Sequence, residues 1–316
     1  MHNGARVDVT TKTRRVPLAS MADGGEMALY LHEIQGRDGD GPTVGICAGI
    51  HGNERTGTEI VLEVARRYAE GRFRGRLVLV PVADPPAFAA NRRHAPVDDL
   101  NLNRLFPGDP RGWFSDHLAE VITTEFLNRI DVLLDLHSGG DRPTVDYIYI
   151  RNAEDLSRAF GSRVLYRQTE GKQGTIFSGT SVGIAEERGI PAVTVELGGG
   201  LVDQRPYVGR GVRGIANILT KLGMTDEGPT PPPEQIVVTS IVTIRPRMGG
   251  FLETEAPPLG ESIAEGAVLG RVVSPYTFEE LEVIRNPVPR GIMILSHLTR
   301  NVVEPGDYGY MVGELA

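Results

Sequence analysis

Cysteine, lysine and tryptophan are nearly missing from this 316-residue chain, which has one Cys, one Trp and only Lys12, Lys172 and Lys221 as lysines. The single Cys47 excludes an intramolecular disulfide framework and any zinc site built on cysteine thiolates. Positive charge is also scarce, with 33 Lys plus Arg against 41 Asp plus Glu, a formal charge of −8. An acidic chain without a basic patch has no general attraction for nucleic acid phosphates or an anionic membrane, and neither is expected as a partner. No apolar stretch approaches the roughly 18 residues of a membrane helix, and the start of the chain lacks the hydrophobic core of a signal peptide. The expectation is a soluble, cytoplasmic protein. What is present is ordinary: 40% hydrophobic and 23% charged residues, enough for a large core at a length of about two domains.

Short Val/Ile/Leu-rich runs at 43–50, 76–83, 131–136, 145–150 and 192–197 are bounded by Gly, Pro or charged residues and read as buried strands. Helical patterns at 56–69, 115–127 and 181–188 lie between several of them, and this alternation predicts an α/β sheet with helices on both faces. Residues 223–234 (GMTDEGPTPPPE) hold four prolines and no apolar period, which marks a linker. After it come short β-type runs (236–244, 251–254, 268–273, 291–296, 308–312) without a long helix, a small all-β module. The expected division is 1–228 and 235–316.

The candidate chemistry sits at strand ends. Gly49-Ile50-His51-Gly52-Asn53-Glu54 follows a buried strand and opens a helix, so a tight turn can aim an imidazole and a carboxylate at one point. A borderline metal such as Zn²⁺ accepts that pair but needs a third protein ligand and an open position. The candidate is His137 in Asp135-Leu136-His137-Ser138-Gly139-Gly140, just past the end of another strand. Functional groups of open α/β sheets gather at the carboxyl ends of strands, so the two sets can converge. His-x-x-Glu alone is a weak motif, equally read as a capping carboxylate beside a surface imidazole. A third strand ends in Glu196, followed by Gly198-Gly199-Gly200. Burying a carboxylate among Val193, Val195 and Leu197 is costly without a partner or a task, and a general base beside a metal is one such task. An Arg-paired strand-end Glu is the plain alternative. Arg92-Arg93 and the string Asp99-Leu100-Asn101-Leu102-Asn103-Arg104 add two arginine sites, one suited to an oxyanion and one to a substrate carboxylate.

GIHGNE (49–54), LNLNRLFPG (100–108), DLHSGG (135–140) and VELGGG (195–200) occur in that order. Together they resemble the succinylglutamate desuccinylase and aspartoacylase family, over roughly residues 40–220. The resemblance implies a three-layer αβα, zinc-carboxypeptidase-like catalytic domain and one Zn²⁺ per chain held by His51, Glu54 and His137. It also implies Glu196 as general base, Asn103 and Arg104 on the substrate carboxylate, and Arg93, chosen over Arg92 by spacing, at the oxyanion. A substrate-side tyrosine is left among Tyr147, Tyr149, Tyr166 and Tyr207. The extended LNLNRLFPG form looks more like bacterial N-acetyl-diaminobutyrate-type deacetylases of ectoine degradation, which implies a small acyl group. The C-terminal module resembles a biotinyl/lipoyl-type β sandwich, but no lysine follows Lys221, so it cannot carry biotin or lipoate.

The expected function is therefore a zinc-dependent amidohydrolase cleaving the N-acyl bond of a small amino acid or diamino acid, with homo-oligomerisation left open. The alternatives are a zinc carboxypeptidase or amidase acting on small peptides, and a non-catalytic sensor that binds metal and ligand. Three further signals are discounted. Gly179-Thr180-Ser181-Val182-Gly183 matches a serine hydrolase elbow, but the only later histidine is His297, in the β module, so Thr180/Ser181 reads as a helix cap. Gly209, Gly211 and Gly214 match a dinucleotide fingerprint placed before a helix but lack the preceding strand. Cys47 reads as a small core residue and His94 as a surface-loop imidazole.

Overall fold

A computed structural model describes residues 11–168, 177–200, 202–230, 234–297 and 300–316. Its strands are β1 (Thr11–Ser20), β2 (Glu26–Gln35), β3 (Thr43–Ala48), β4 (Arg76–Val80), β5 (Val132–His137), β6 (Thr144–Tyr149), β7 (Val164–Tyr166) and β8 (Ala192–Gly198) before the linker. After it come β9 (Ile236–Ile244), β10 (Gly250–Thr254), β11 (Ser262–Ala264), β12 (Val268–Val273), β13 (Glu280–Arg285), β14 (Arg290–Leu295), β15 (Asn301–Val303) and β16 (Tyr310–Leu315). The helices are α1 (Arg55–Tyr68), α2 (Pro85–Ala90), α3 (Phe114–Glu125), α4 (Glu154–Phe160), α5 (Ser181–Glu187) and α6 (Arg205–Lys221).

The apolar runs at 43–50, 76–83, 131–136 and 192–197 form β3, β4, β5 and β8, which lie side by side and parallel in the order β4-β3-β5-β8. Such strands are apolar throughout because both faces are covered. Val44, Ile46 and Leu134 pack with Ile60 and Val64 of α1 and Ile215 and Leu219 of α6. Cys47, Leu133 and Ala192 pack with Leu118 and Ile122 of α3 and Val182 of α5. The expected α/β sheet with helices on both faces is therefore present, and Cys47 is a buried core residue.

Several elements go beyond the expected ones. The hairpin β1-β2 continues the sheet antiparallel beyond β4; β1 buries only Leu18, so it carries no clear alternation. Gly209, Gly211 and Gly214 do not precede a helix but lie inside α6. A Cβ at Gly211 would sit 2.3 Å from Ile60, and one at Gly214 would sit 2.7 Å from the Phe160 ring. Those glycines let α6 pack closely on α1 and α4, a tertiary gain that overrides their poor helix propensity.

On the other side of β8 the sheet continues β8-β6-β7-β9-β16-β14-β11, and β14 also pairs with β6 through Leu295 and Thr144. Strands β6, β7, β9, β16 and β14 thus close on themselves as a five-stranded barrel, drawing two strands from before the linker and three from after it. Its interior holds Tyr147, Val164, Val238, Ile292 and Ile294. Strands β13-β12-β10-β15 form a second sheet over a core of Leu252, Leu269, Val272 and Tyr310. The described part of the proline-rich segment is anchored, with Thr230 N–H donating to Asn217 Oδ1 (2.9 Å) and the Asn217 amide donating to the Thr230 carbonyl (3.0 Å).

Candidate metal centre and its pocket

Strand β3 ends at Ala48, and the following turn delivers His51 and then Glu54, the residue before α1. The turn presses on α2 so closely that a Cβ at Gly52 would lie 2.0 Å from the Ala87 carbonyl carbon, so only glycine fits. Ala48 pairs with Leu136 on β5, which places His137 one residue beyond the end of β3. His137 in turn pairs directly with Glu196 on β8, and Glu196 with Tyr147 on β6. Adjacent strand ends therefore bring the imidazoles, Glu54 and Glu196 into one region.

Three buried donors converge there. His51 Nδ1 is 2.8 Å from Glu54 Oε1 and His137 Nδ1 is 2.9 Å from Glu54 Oε2. The donor atoms of His51, Glu54 and His137 all lie within 4.8 Å of one another. Despite its short approach to Glu54, His51 Nδ1 makes no hydrogen bond of acceptable geometry, as expected of an atom aimed at a shared point between ligands. The outer nitrogens are occupied: His51 Nε2 lies 3.2 Å from Asn101 Oδ1, and His137 Nε2 lies 3.1 Å from Asp135 Oδ2. Asp135 also accepts from Ser181 Oγ at 2.8 Å. Fixing the outer nitrogen of each ring sets its tautomer and turns Nδ1 toward the centre. An orphaned buried imidazole nitrogen, a second imidazole and a carboxylate suit a zinc ion with a position left open.

Burial would raise the Glu54 carboxyl, but His51 and His137 outweigh it and hold Glu54 well below the usual carboxylate range. Burial lowers His51. Burial would lower His137 too, yet Asp135 and Glu54 raise it well above the usual imidazole range. Glu196 is pushed up to about 8 by burial, with His137 opposing and Glu54 reinforcing, so this carboxyl is inclined to hold a proton.

A cavity of about 380 Å³ opens over these groups and is lined by His51, Glu54, His137, Glu196, Arg93, Asn103 and Arg104, every residue singled out from the sequence. Arg93 donates from Nη1 to Glu54 Oε1 at 2.8 Å, whereas Arg92 pairs with exposed Asp99 at 3.2 Å, so it is Arg93 that faces the centre. Asn103 is buried and accepts from the Ser181 backbone N–H at 3.2 Å, fixing it to the start of α5. Of the four candidate tyrosines, Tyr147 and Tyr149 line the cavity; Tyr207 stacks with Arg210.

Other residues of this region were not singled out from the sequence. Asp135 and Asn101 lie inside the quoted strings, and Asp135 carried a signal: a carboxylate in an otherwise apolar strand, two residues from a candidate ligand. Thr243, Leu295, Tyr308 and Met311, all from beyond the linker, also line the cavity, and no local pattern marks them. Ser181 is no exposed nucleophile; it is buried, its hydroxyl is spent on Asp135, and Thr180 caps α5 by accepting from Gly183 N–H at 2.9 Å.

The catalytic-domain model of the succinylglutamate desuccinylase/aspartoacylase family matches residues 40–222. The chain belongs to this family. Its relatives include the N-alpha-acetyl-L-2,4-diaminobutyric acid deacetylase of Halomonas elongata, 32% identical in an alignment that covers 74% of this chain and 71% of that protein. The product-bound ectoine utilization protein EutE of Ruegeria pomeroyi has a TM-score of 0.84 at 26% identity, covering 96% of this chain and 95% of that one. A succinylglutamate desuccinylase of a Silicibacter species has a TM-score of 0.83 at 26% identity, covering 97% and 95%. This member of the family thus shares its mixed α/β fold with relatives over nearly the whole chain, including the strands after the linker.

Proposed function

We propose that the protein is a zinc-dependent deacylase that hydrolyses the N-acyl amide bond of a small N-acyl amino acid or diamino acid. The observation that carries this reading is the convergence of His51, Glu54 and His137 beneath a small cavity, with Glu196 on the strand paired to His137. The names of the relatives, a diaminobutyric acid deacetylase and a succinylglutamate desuccinylase, favour amide substrates of this size. In the same reading, residues 1–228 form the hydrolase unit, and residues 235–316 a β unit that walls its cavity.

His51, Glu54 and His137 would hold the zinc ion, which when bound supplies Lewis-acid polarisation of the amide carbonyl and acidifies a water. Glu196, in its ionised form, takes the proton from the attacking water and passes it to the departing amine nitrogen; its raised affinity for protons favours the first of these transfers. Arg93 reaches the centre from the rim and offers its guanidinium to the oxygen that gains negative charge. Arg104, on the segment fixed by Asn103, binds a substrate carboxylate.

The test is hydrolysis of a panel of N-acetyl, N-succinyl and N-formyl amino acids and diamino acids before and after chelation and zinc readdition, with metal quantified. Activity should disappear on chelation and return with zinc. Glu196→Gln should retain stoichiometric zinc while kcat drops by about 10³-fold or more. Wild-type kcat in Glu196→Gln would remove it from its role, efficient cleavage of longer peptides would favour a peptidase, and ligand binding without turnover would favour a sensor.

A further inference from the structure

Arg142 stands in the loop between β5 and β6 and lines the cavity. Unlike Arg93, which is paired with Glu54, Arg142 has no carboxylate partner among the described residues. The acid beside it in sequence, Asp141, instead accepts from the Asn53 amide at 3.0 Å. Among the described residues, the one polar contact of the Arg142 side chain runs from Nε to Nε2 of His297, at 3.3 Å.

His297 follows β14, beyond the linker, and is only 2% exposed. Its Nε2 lies 3.0 Å from the Tyr308 carbonyl oxygen and its Nδ1 lies 3.0 Å from the Asn301 side-chain amide. Burial lowers its proton affinity, with Arg142 adding to the effect against the Tyr308 carbonyl. The Tyr308 carbonyl can only accept, so Nε2 carries the ring proton and donates to it, Nδ1 accepts from the Asn301 amide, and Arg142 Nε stands beside the ring without a lone pair to bond. The guanidinium of Arg142 therefore has no hydrogen-bond acceptor among the described residues, and Nη1 and Nη2 are left to a ligand. Such a fork matches a planar, two-oxygen anion.

The geometry points to Arg142 as a second carboxylate-recognising residue of the cavity, distinct from Arg104. The inference rests on the deacylase reading for its substrate, and the carboxylate can belong to either half of that substrate, the amine half or the acyl half.

Three compounds separate the two sources: Nα-acetyl-L-2,4-diaminobutyrate, its α-carboxamide, and the N-succinyl counterpart of that carboxamide. For the carboxylate Arg142 receives, Arg142→Gln should raise KM by about 30-fold, the effect of losing a charge-assisted bidentate contact, with kcat within about threefold of wild type. The acetyl carboxamide should be unaffected, and Arg142→Lys should recover part of the loss. Unchanged preference for carboxylate over neutral compound in Arg142→Gln, in both arms, overturns the inference. A second arm needs no turnover: calorimetric binding of L-2,4-diaminobutyrate against its carboxamide, and of succinate against succinamide, to the zinc-loaded protein. If wild type hydrolyses none of the compounds, the deacylase reading falls. The binding arm still decides Arg142, since selective loss of affinity for one carboxylate in Arg142→Gln supports the inference and unchanged affinities overturn it.

Discussion

The floor and the wall of the cavity are built differently. On the floor, His51, Glu54, His137 and Asp135 are buried, and each touches at least two other polar groups. On the wall, Arg93, Arg104 and Arg142 reach solvent and make few contacts. A buried network of shared partners fixes its members in one geometry, at the risk that losing one partner strands the others. A solvated arginine costs little to leave unpaired, so it is available to a ligand. The floor is suited to holding an ion and moving protons, and the wall to choosing what enters.

That contrast can be broken most severely at Asp135. Asp135→Asn keeps the shape but gives His137 a neutral partner, and zinc affinity or kcat/KM should fall about 10- to 100-fold. Metal titration and kinetics read this, and a loss confined to KM would place Asp135 among the wall residues instead. Ser181→Ala sharpens the comparison with a smaller change, because Asp135 keeps His137 while losing the hydroxyl at 2.8 Å. Activity should drop a few-fold, about the effect of one buried hydrogen bond; abolished turnover in a folded, zinc-loaded variant would restore the nucleophile reading of Gly179–Gly183.

The smallest expected effect on catalysis, and one visible only in stability, is at Asp84. This buried carboxylate caps α2 by accepting from Ala87 N–H at 3.1 Å, but its Oδ2 has no partner, and burial raises its pKa to about 7. The folded state thus keeps this proton to a higher pH than the unfolded chain. The stability linked to the group is complete below about pH 4 and is lost as the pH rises to about 7. Asp84→Asn removes that dependence and retains a capping oxygen, so it should gain up to about 4 kcal/mol over wild type at neutral pH and little at pH 4. Denaturant unfolding at both pH values measures it; a gain equal at both would disprove the linkage. Activity should be unchanged.

Much of the floor was legible in the sequence because strand ends announce themselves. An apolar run stops, a glycine turn follows, and the polar residue at the junction has few directions to point; His51, His137 and Glu196 all obey this. The parallel strands and helices α1, α3 and α5 were legible for the same reason, their apolar spacing reporting burial directly. The helix α6 was hidden by glycines chosen for close contact with Ile60 and Phe160. Hairpin β1-β2 was hidden by exposed positions. The pairing of Leu295 with Thr144, and the placing of Thr243, Tyr308 and Met311 around the cavity, depend on residues more than a hundred positions from His51, Glu54 and His137. No local pattern carries such information.

The interleaved order β6-β7-β9-β16-β14 also bears on how this protein can be altered or divided. A fragment ending in the proline-rich segment would keep the ligands yet expose the unpaired edge of β7, a template for pairing between chains. Conversely, the strands that complete the barrel supply cavity residues but none of the three metal-site donors. Variation in the last third of the chain can therefore reshape what the enzyme admits while its chemical apparatus stays untouched, and an engineer seeking a new substrate should begin there.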